Sequence, residues 1–334
     1  MLMNVRTLSR LKPGLQIVFI LFACFTAGAQ AVKLMQSDKT IRVEINGKLF
    51  TEYFFKDVPR PYCYPLLGPE ELPMTRNWPM SANPSPDYVP KALPTEEHDH
   101  PHHRSLWFAY GDVNGMDFWA EEKVWHKIVH EKFLEVKSGD DFGVIKSRNN
   151  WTANNGTIVC TDERTLRVYN RPDNERLFDF EITLIAPKDK PVKFGDTKEG
   201  AMATRVAESM RLSHGKKPGE GHIVQSTGAR DGAAWGKRAE WTDYYGPVNG
   251  KTVGIAIFDH PKNPNHPCWW HARDYGLFAA NPFGRRGYEG KNAPEGGLTI
   301  PAGKSLTFRY RFYLHEGDEK SAKVAEHFAD WAKQ

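Results

Sequence analysis

From residue 40 onward the chain alternates apolar and polar positions. Ile41-Arg-Val-Glu-Ile45 leads to Asn46-Gly47 and then to a second run, Lys48 to Phe55. Period-two alternation turns one face of a strand to a core and the other to water. Asn-Gly between two such runs predicts a tight β-hairpin, because both residues tolerate positive φ. The same texture, rich in Val, Ile, Thr and aromatics, returns at Leu106–Tyr110, Val124–Val136, Val144–Asn150, Thr157–Val168, Arg176–Ile185, Thr252–Phe258 and Ser305–Leu314. Gly, Pro, Asn and Asp clusters separate the runs. Helical spacing is clear only from Glu319 to Ala332, where Ala322, Val324, Ala325, Phe328, Ala329 and Trp331 recur. The tract from Pro59 to Pro94 holds ten prolines. It is predicted to supply no central strand and to act as a covering loop. The pattern predicts an all-β protein of stacked antiparallel sheets with a short C-terminal helix.

The first 29 residues stand apart. Arg6, Arg10 and Lys12 precede the apolar run Leu15–Phe25, and Ala27-Gly28-Ala29 offers a small-x-small cleavage site. This is the layout of a secretory signal peptide, so residues 1–29 are read as a leader and 30–334 as one domain, exported to the periplasm or beyond. The chain has 334 residues, 40% apolar and 26% charged, and a formal charge of +4. The leader carries three of the 45 basic residues and none of the 41 acids, which leaves +1 for the remainder. That balance gives no reason to expect nucleic acid as a partner. Cys63, Cys160 and Cys268 remain without a C-x-x-C spacing, so neither a disulfide scaffold nor structural zinc is expected.

Four of the 13 histidines, His98, His100, His102 and His103, fall within six positions, just before the buried-looking strand Leu106–Tyr110. Three readings compete. If extended, His98, His100 and His102 would share a face and could ligate a transition metal, but no carboxylate follows at Arg104 or Ser105. An acid–base site needs less, since histidine titrates near neutral pH. In an extended chain His102 and His103 would point to opposite faces, so one would serve a pocket and the other a structural bond. The third reading is a solvated polar loop.

The stretch Asp99-His-Pro-His-His-Arg-Ser-Leu-Trp-Phe-Ala-Tyr-Gly-Asp-Val-Asn-Gly-Met-Asp-Phe-Trp119 resembles the signature of a bacterial secreted family filed as "methane oxygenase PmoA" and as a domain of unknown function. Two further stretches carry the same resemblance. They are Gly195-Asp-Thr-Lys-Glu-Gly200 with Arg205-Val-Ala207, and Trp270-His-Ala-Arg-Asp-Tyr-Gly276 with Ala280-Asn-Pro-Phe-Gly284. Ser105 and Tyr110 depart from it, standing where glycine and histidine are expected. The oxygenase subunit of that name is an integral membrane protein, and this chain after its leader has no apolar run near 20 residues. The resemblance implies instead a galactose-mutarotase-like β-supersandwich, a fold common among sugar-processing enzymes.

These motifs suggest a carbohydrate site. Aromatic faces stack on the C–H faces of sugars, while Arg and Asp bind hydroxyls. His102 or His103 is expected as general acid and Glu199, bracketed by Gly195 and Gly200, as general base. Arg104, His271, Arg273 and Asp274 are expected to orient hydroxyls. Arg76 is expected either to fix a carboxylate-bearing sugar or, like Arg104, to hold Asp99 or Asp117 in a structural pair. Glycoside hydrolysis would need a second carboxylate, from Asp99 or Asp274. No cofactor is expected, a transition metal being the alternative. The expected function is acid–base chemistry on a sugar, epimerisation or bond cleavage. The alternatives are a non-catalytic carbohydrate-binding protein and a His-ligated oxygenase or hydrolase.

Overall fold

The computed structural model describes residues 30–80, 96–121 and 126–334; residues 1–29, expected to be a leader, lie outside them. Two eight-stranded antiparallel sheets form the body. In spatial order the first contains β1 (Val32–Gln36), β2 (Thr40–Ile45), β3 (Lys48–Phe54), β4 (Tyr62–Leu66), β5 (Leu106–Tyr110), β11 (Gly200–Arg205), β18 (Leu277–Asn281) and β17 (Trp269–Trp270). The second runs β14 (His222–Gln225), β15 (Trp241–Val248), β16 (Lys251–Asp259), β20 (Ser305–Glu316), β9 (Glu175–Ile185), β8 (Ile158–Tyr169), β7 (Phe142–Thr152) and β6 (Lys127–Lys137). Two small pairs join β10 (Val192–Phe194) to β19 (Leu298–Ile300) and β12 (Ser213–His214) to β13 (Lys217–Pro218). Helix α1 (Arg285–Glu289) is one short turn, and α2 (Val324–Ala332) ends the chain. The all-β class, the antiparallel stacking and the C-terminal helix are as expected.

The β2–β3 hairpin turns at Asn46 and Gly47, both at positive φ (51° and 79°), as Asn-Gly demands. Rings from the two sheets meet between them: Phe50 with Phe178, Phe108 with Trp151, and Phe278 with Tyr244. Helix α2 begins later than its periodicity, because Lys323 takes a left-handed conformation (φ 53°) just before it. It buries Val324, Phe328 and Trp331 against Trp241, Phe258 and Tyr313 in a second cluster.

One expectation is corrected. The proline tract does supply a central strand: β4 lies between β3 and β5 and contains Pro65. It pairs with β5 only through Tyr62 and Cys63, so the missing N–H of Pro65 costs that ladder nothing. The same tract brings Arg76 and Asn77 to the site described next. Cys63, Cys160 and Cys268 are buried and free.

Candidate active site

The centre of the first sheet is buried on both faces. Phe108, Met202 and Ala280 share a row, as do Trp107, Ala203 and Ala279. Directly paired residues face the same way and neighbours alternate. With Phe108 turned to the second sheet, Trp107, Ala109, Ala201, Ala203 and Ala279 look outward. His271 extends this outer row, since it exchanges both backbone hydrogen bonds with Ala279 (2.9 and 3.3 Å). Four alanines thus make a low, fully buried floor flanked by Trp107 and His271.

One wall comes from residues 96–105. They do not extend. His100 has φ 47° and the His103 N–H donates to the His100 carbonyl at 3.0 Å, so the chain turns at Pro101. The turn overrides the expected opposite facing of His102 and His103, whose rings lie 4.5 Å apart beside Trp119. It also separates the histidines expected to align for a metal: His98 stacks on Trp78 while His100 stacks on His103. Among the described residues no group of three or more His, Cys, Asp or Glu is placed to hold a metal ion. Ser105 has φ 58°, the conformation that glycine takes without cost. That is the physical reason glycine is expected there, and the Ser105 hydroxyl compensates with a 2.7 Å bond to Thr75.

Asp99 is the hub of this wall. It accepts from Arg76 at 2.6 Å, from Arg205 at 3.0 Å and from the His100 ring at 2.8 Å. Burial alone would raise its pKa, but His100, Arg205 and Arg76 together hold it well below the usual carboxylate range. Arg205 also reaches the His103 ring at 3.2 Å. Both guanidiniums are fully buried. Burial, helped by the charge of Arg205 and opposed by that of Asp99, lowers Arg76 to about 10.

The second wall is the loop 195–199. Tyr110 pins it: its hydroxyl donates to the Gly195 carbonyl at 2.6 Å and accepts from the Thr197 N–H at 3.2 Å. Asn281 donates to the Thr197 carbonyl at 3.0 Å, and Tyr288 donates to the Lys198 carbonyl at 2.9 Å. Glu199 follows with its side chain 36% exposed and its carboxylate 3.7 Å from the Lys198 ammonium. Burial lifts the Glu199 pKa above the ordinary value; Lys198 opposes this and the charge of Asp117 adds to it. The fit is tight at Gly200, where a Cβ would lie 2.2 Å from the Tyr110 ring. Gly200→Ala is expected to cost about 2 kcal/mol as an overpacked site and to displace Glu199. A thermal melt that matches the native protein would contradict that tight fit.

The third wall is the turn 271–276. Tyr275 stacks on His100 at 5.3 Å and carries the Arg205 and Arg273 guanidiniums at 4.7 and 5.2 Å from its ring centre. His271 is buried and neither ring nitrogen makes a well-formed hydrogen bond, the Lys198 backbone offering only a loose polar contact. Burial holds it at about 3; Arg273 and Lys198 push the same way, and the nearby Lys198 backbone only partly offsets them. Burial likewise lowers His102 to about 3 and His103 well below 6.5. All three rings are neutral at neutral pH, so an imidazolium acid is not what the fold provides here. Their remaining chemistry is that of neutral donors and acceptors.

The walls meet electrically. Tyr275 feels Arg273, Arg205, Glu199 and Asp99, and His271 feels Arg273, Lys198 and His100. His102, His103, Arg76 and Arg273 are joined by contacts through Asp99, His100 and Tyr275, and Glu199 and His271 lie within reach of their charges. Arg104 and Asp274 are not part of this group. Arg104 is forked onto Glu121 (2.7–3.1 Å), not onto Asp117, with Arg60 on the same carboxylate at 3.2 Å. Asp274 is exposed and accepts from the Ser213 hydroxyl at 2.8 Å. Sequence reasoning assigned no role to Arg205, Tyr275, Tyr288 or Asn281, although all but Tyr288 lie in its three motifs.

A family model matches residues 40–329, nearly all of the described chain. The chain belongs to a family of unknown function, DUF6807. No curated protein matches it. Solved structures similar to this DUF6807 chain include galactose 1-epimerase from Lactobacillus acidophilus NCFM, at 8% identity and TM-score 0.37, with 87% of this chain and 100% of that one covered. A GalM/aldose epimerase homologue from C. elegans matches at 7% identity and TM-score 0.33, covering 87% and 100%. A glycoside hydrolase family 97 enzyme from Pseudoalteromonas sp. strain K8 matches at 10% identity and TM-score 0.33, covering 86% of this chain. The chain spans 34% of that hydrolase's length.

Proposed function

We propose that this DUF6807 protein is a carbohydrate-active enzyme that moves protons at a sugar, in an epimerisation or a bond cleavage, with Glu199 as its acid–base group. One observation carries the reading. Glu199 is the half-buried carboxyl at the solvent edge of the cluster, and its pKa is raised toward the range where a carboxyl both gives and takes protons. Asp99 is held ionised by two buried arginines and is a positioning residue, not an acid. Neutral His102, His103 and His271 orient groups through hydrogen bonds. The sugar ring is placed in this reading against the Tyr275–His100 stack, whose rings already pack on each other and on His103. Asp117, whose charge reaches Glu199, is our candidate for the second carboxylate, although one of its oxygens already accepts the Trp119 and Ala120 N–H groups at 2.7 and 3.0 Å.

The oxygenase label plays no part in this proposal. No metal-ligand group stands among the described residues, and none of their helices is long and apolar enough to cross a membrane. Export is part of the proposal and rests on the leader; N-terminal sequencing of the secreted protein should begin near residue 30.

The test is a panel of reducing sugars and oligosaccharides in D2O, followed by NMR. Deuterium uptake at a sugar carbon, or release of a product, is expected for at least one member. Its rate should fall as pH drops through a value above the ordinary glutamate range, as Glu199 takes up its proton. No conversion across the panel would sink the reading.

A further inference from the structure

We infer that the sugar bears a carboxylate, and that Arg273 is the residue that selects it. The inference rests on the carbohydrate reading above and adds the substrate class. Arg76, Arg205, Lys198 and Arg273 stand round the site, and the carboxylates beside them are Asp99, Glu199, Asp117 and Glu96. Asp99 is shared between Arg76 and Arg205. Glu199 stands opposite Lys198. The Arg273 carbonyl accepts from the Tyr244 hydroxyl at 3.2 Å, but its guanidinium makes no ion pair or hydrogen bond among the described residues and lies over Tyr275. Its neighbour Asp274 would be the obvious partner, but it turns to Ser213 and the Tyr275 N–H.

The Arg273 guanidinium lies 5.2 Å from the centre of the Tyr275 ring. A stacked guanidinium leaves its N–H edge free, and that fork matches a carboxylate in bidentate geometry. Tyr275 belongs to the same parallel stack as His100 and His103, so the fork borders the surface on which a sugar ring would lie. The charges of Arg273 and Lys198 both reach His271, whose two ring nitrogens are buried without well-formed hydrogen bonds. A sugar acid seated there would supply the anion that Arg273 lacks and polar atoms for His271. A neutral sugar would supply only the second.

Calorimetric titration decides it, with D-galacturonate and D-glucuronate against D-galactose and D-glucose, in the wild type, Arg273→Gln and Arg273→Lys. The uronates are expected to bind at least ~10-fold more tightly than their neutral partners, about one charge-assisted pair. That ratio should shrink in high salt. It should fall toward one in Arg273→Gln and recover in part in Arg273→Lys. Equal binding of acidic and neutral sugars by the wild type would overturn the inference and leave the carbohydrate reading standing. So would a preference unchanged in Arg273→Gln. Binding of neither class would overturn both.

Discussion

Asp99→Ala is expected to destabilise the protein by about 3 kcal/mol. Asp99 accepts from Arg76 and Arg205, and both guanidiniums are fully buried. Removing the carboxylate leaves two desolvated cations facing each other, and Arg205 already pushes the Arg76 pKa down. Breaking a buried pair from one side typically costs ~3–5 kcal/mol, since the orphaned charge keeps its desolvation penalty. The lower end applies because Asp99 is 29% exposed and water can reach the gap. Asp99→Asn keeps the acceptor and should cost less. Arg205→Met on the Asp99→Ala background should recover part of the loss by removing one orphan. Urea midpoints measure all three, and a cost under about 1 kcal/mol for Asp99→Ala would show that the hub is not what holds the wall.

Acidification should weaken the fold before the ordinary carboxylates titrate. Folding buries His102, His103 and His271 as neutral rings, two of them held at about 3. In the unfolded chain each protonates near pH 6.5. Between those values the unfolded state binds more protons, so stability rises with pH and falls as pH drops below 6.5. Each ring contributes up to ~1.4 kcal/mol per pH unit. His315 behaves oppositely. Burial works against its charge, but Asp243 at 3.1 Å prevails and raises its pKa. Its contribution is complete below pH 6.5 and is lost as pH rises from there through its own raised value, so it leaves the slope below 6.5 untouched. Chemical denaturation at intervals from pH 7.5 to 4.5 should show the decline, and His271→Gln should flatten it by roughly one ring's share. A stability profile level across that range would contradict the buried neutral rings.

The strands of the second sheet were the most legible part of the chain. In β9 buried and half-buried residues alternate along the whole strand, which is what a one-sided strand writes into sequence. The strands that build the site, β5, β11 and β18, are buried along their whole length. A strand covered on both faces has no period-two signature, and β11 and β18 were reached only through motifs. The same blindness hid the interior polar network. The run Thr157–Val168 is expected as a strand with no role for its charges, yet Arg164 is buried and forks onto Asp162, with Trp151 and Asn149 on the same carboxylate. The histidine cluster was legible as a site but not in its geometry, because the turn at His100 depends on Arg76, from a distant segment, donating to its carbonyl at 2.6 Å. Tyr110 departs from the residue expected there, and the fold shows its use: its hydroxyl holds the loop that presents Glu199.

Glu199 is the residue on which the proposed chemistry depends. The decisive measurement is kcat/KM for Glu199→Gln beside the wild type, on whichever sugar the panel identifies, with matched thermal melts for the two proteins. Glutamine keeps the shape and loses the transferable proton, so a fall of ~100-fold or more is expected with the melt unchanged. Activity within a few-fold of wild type would remove the carboxyl from the chemistry and contradict the proposed site.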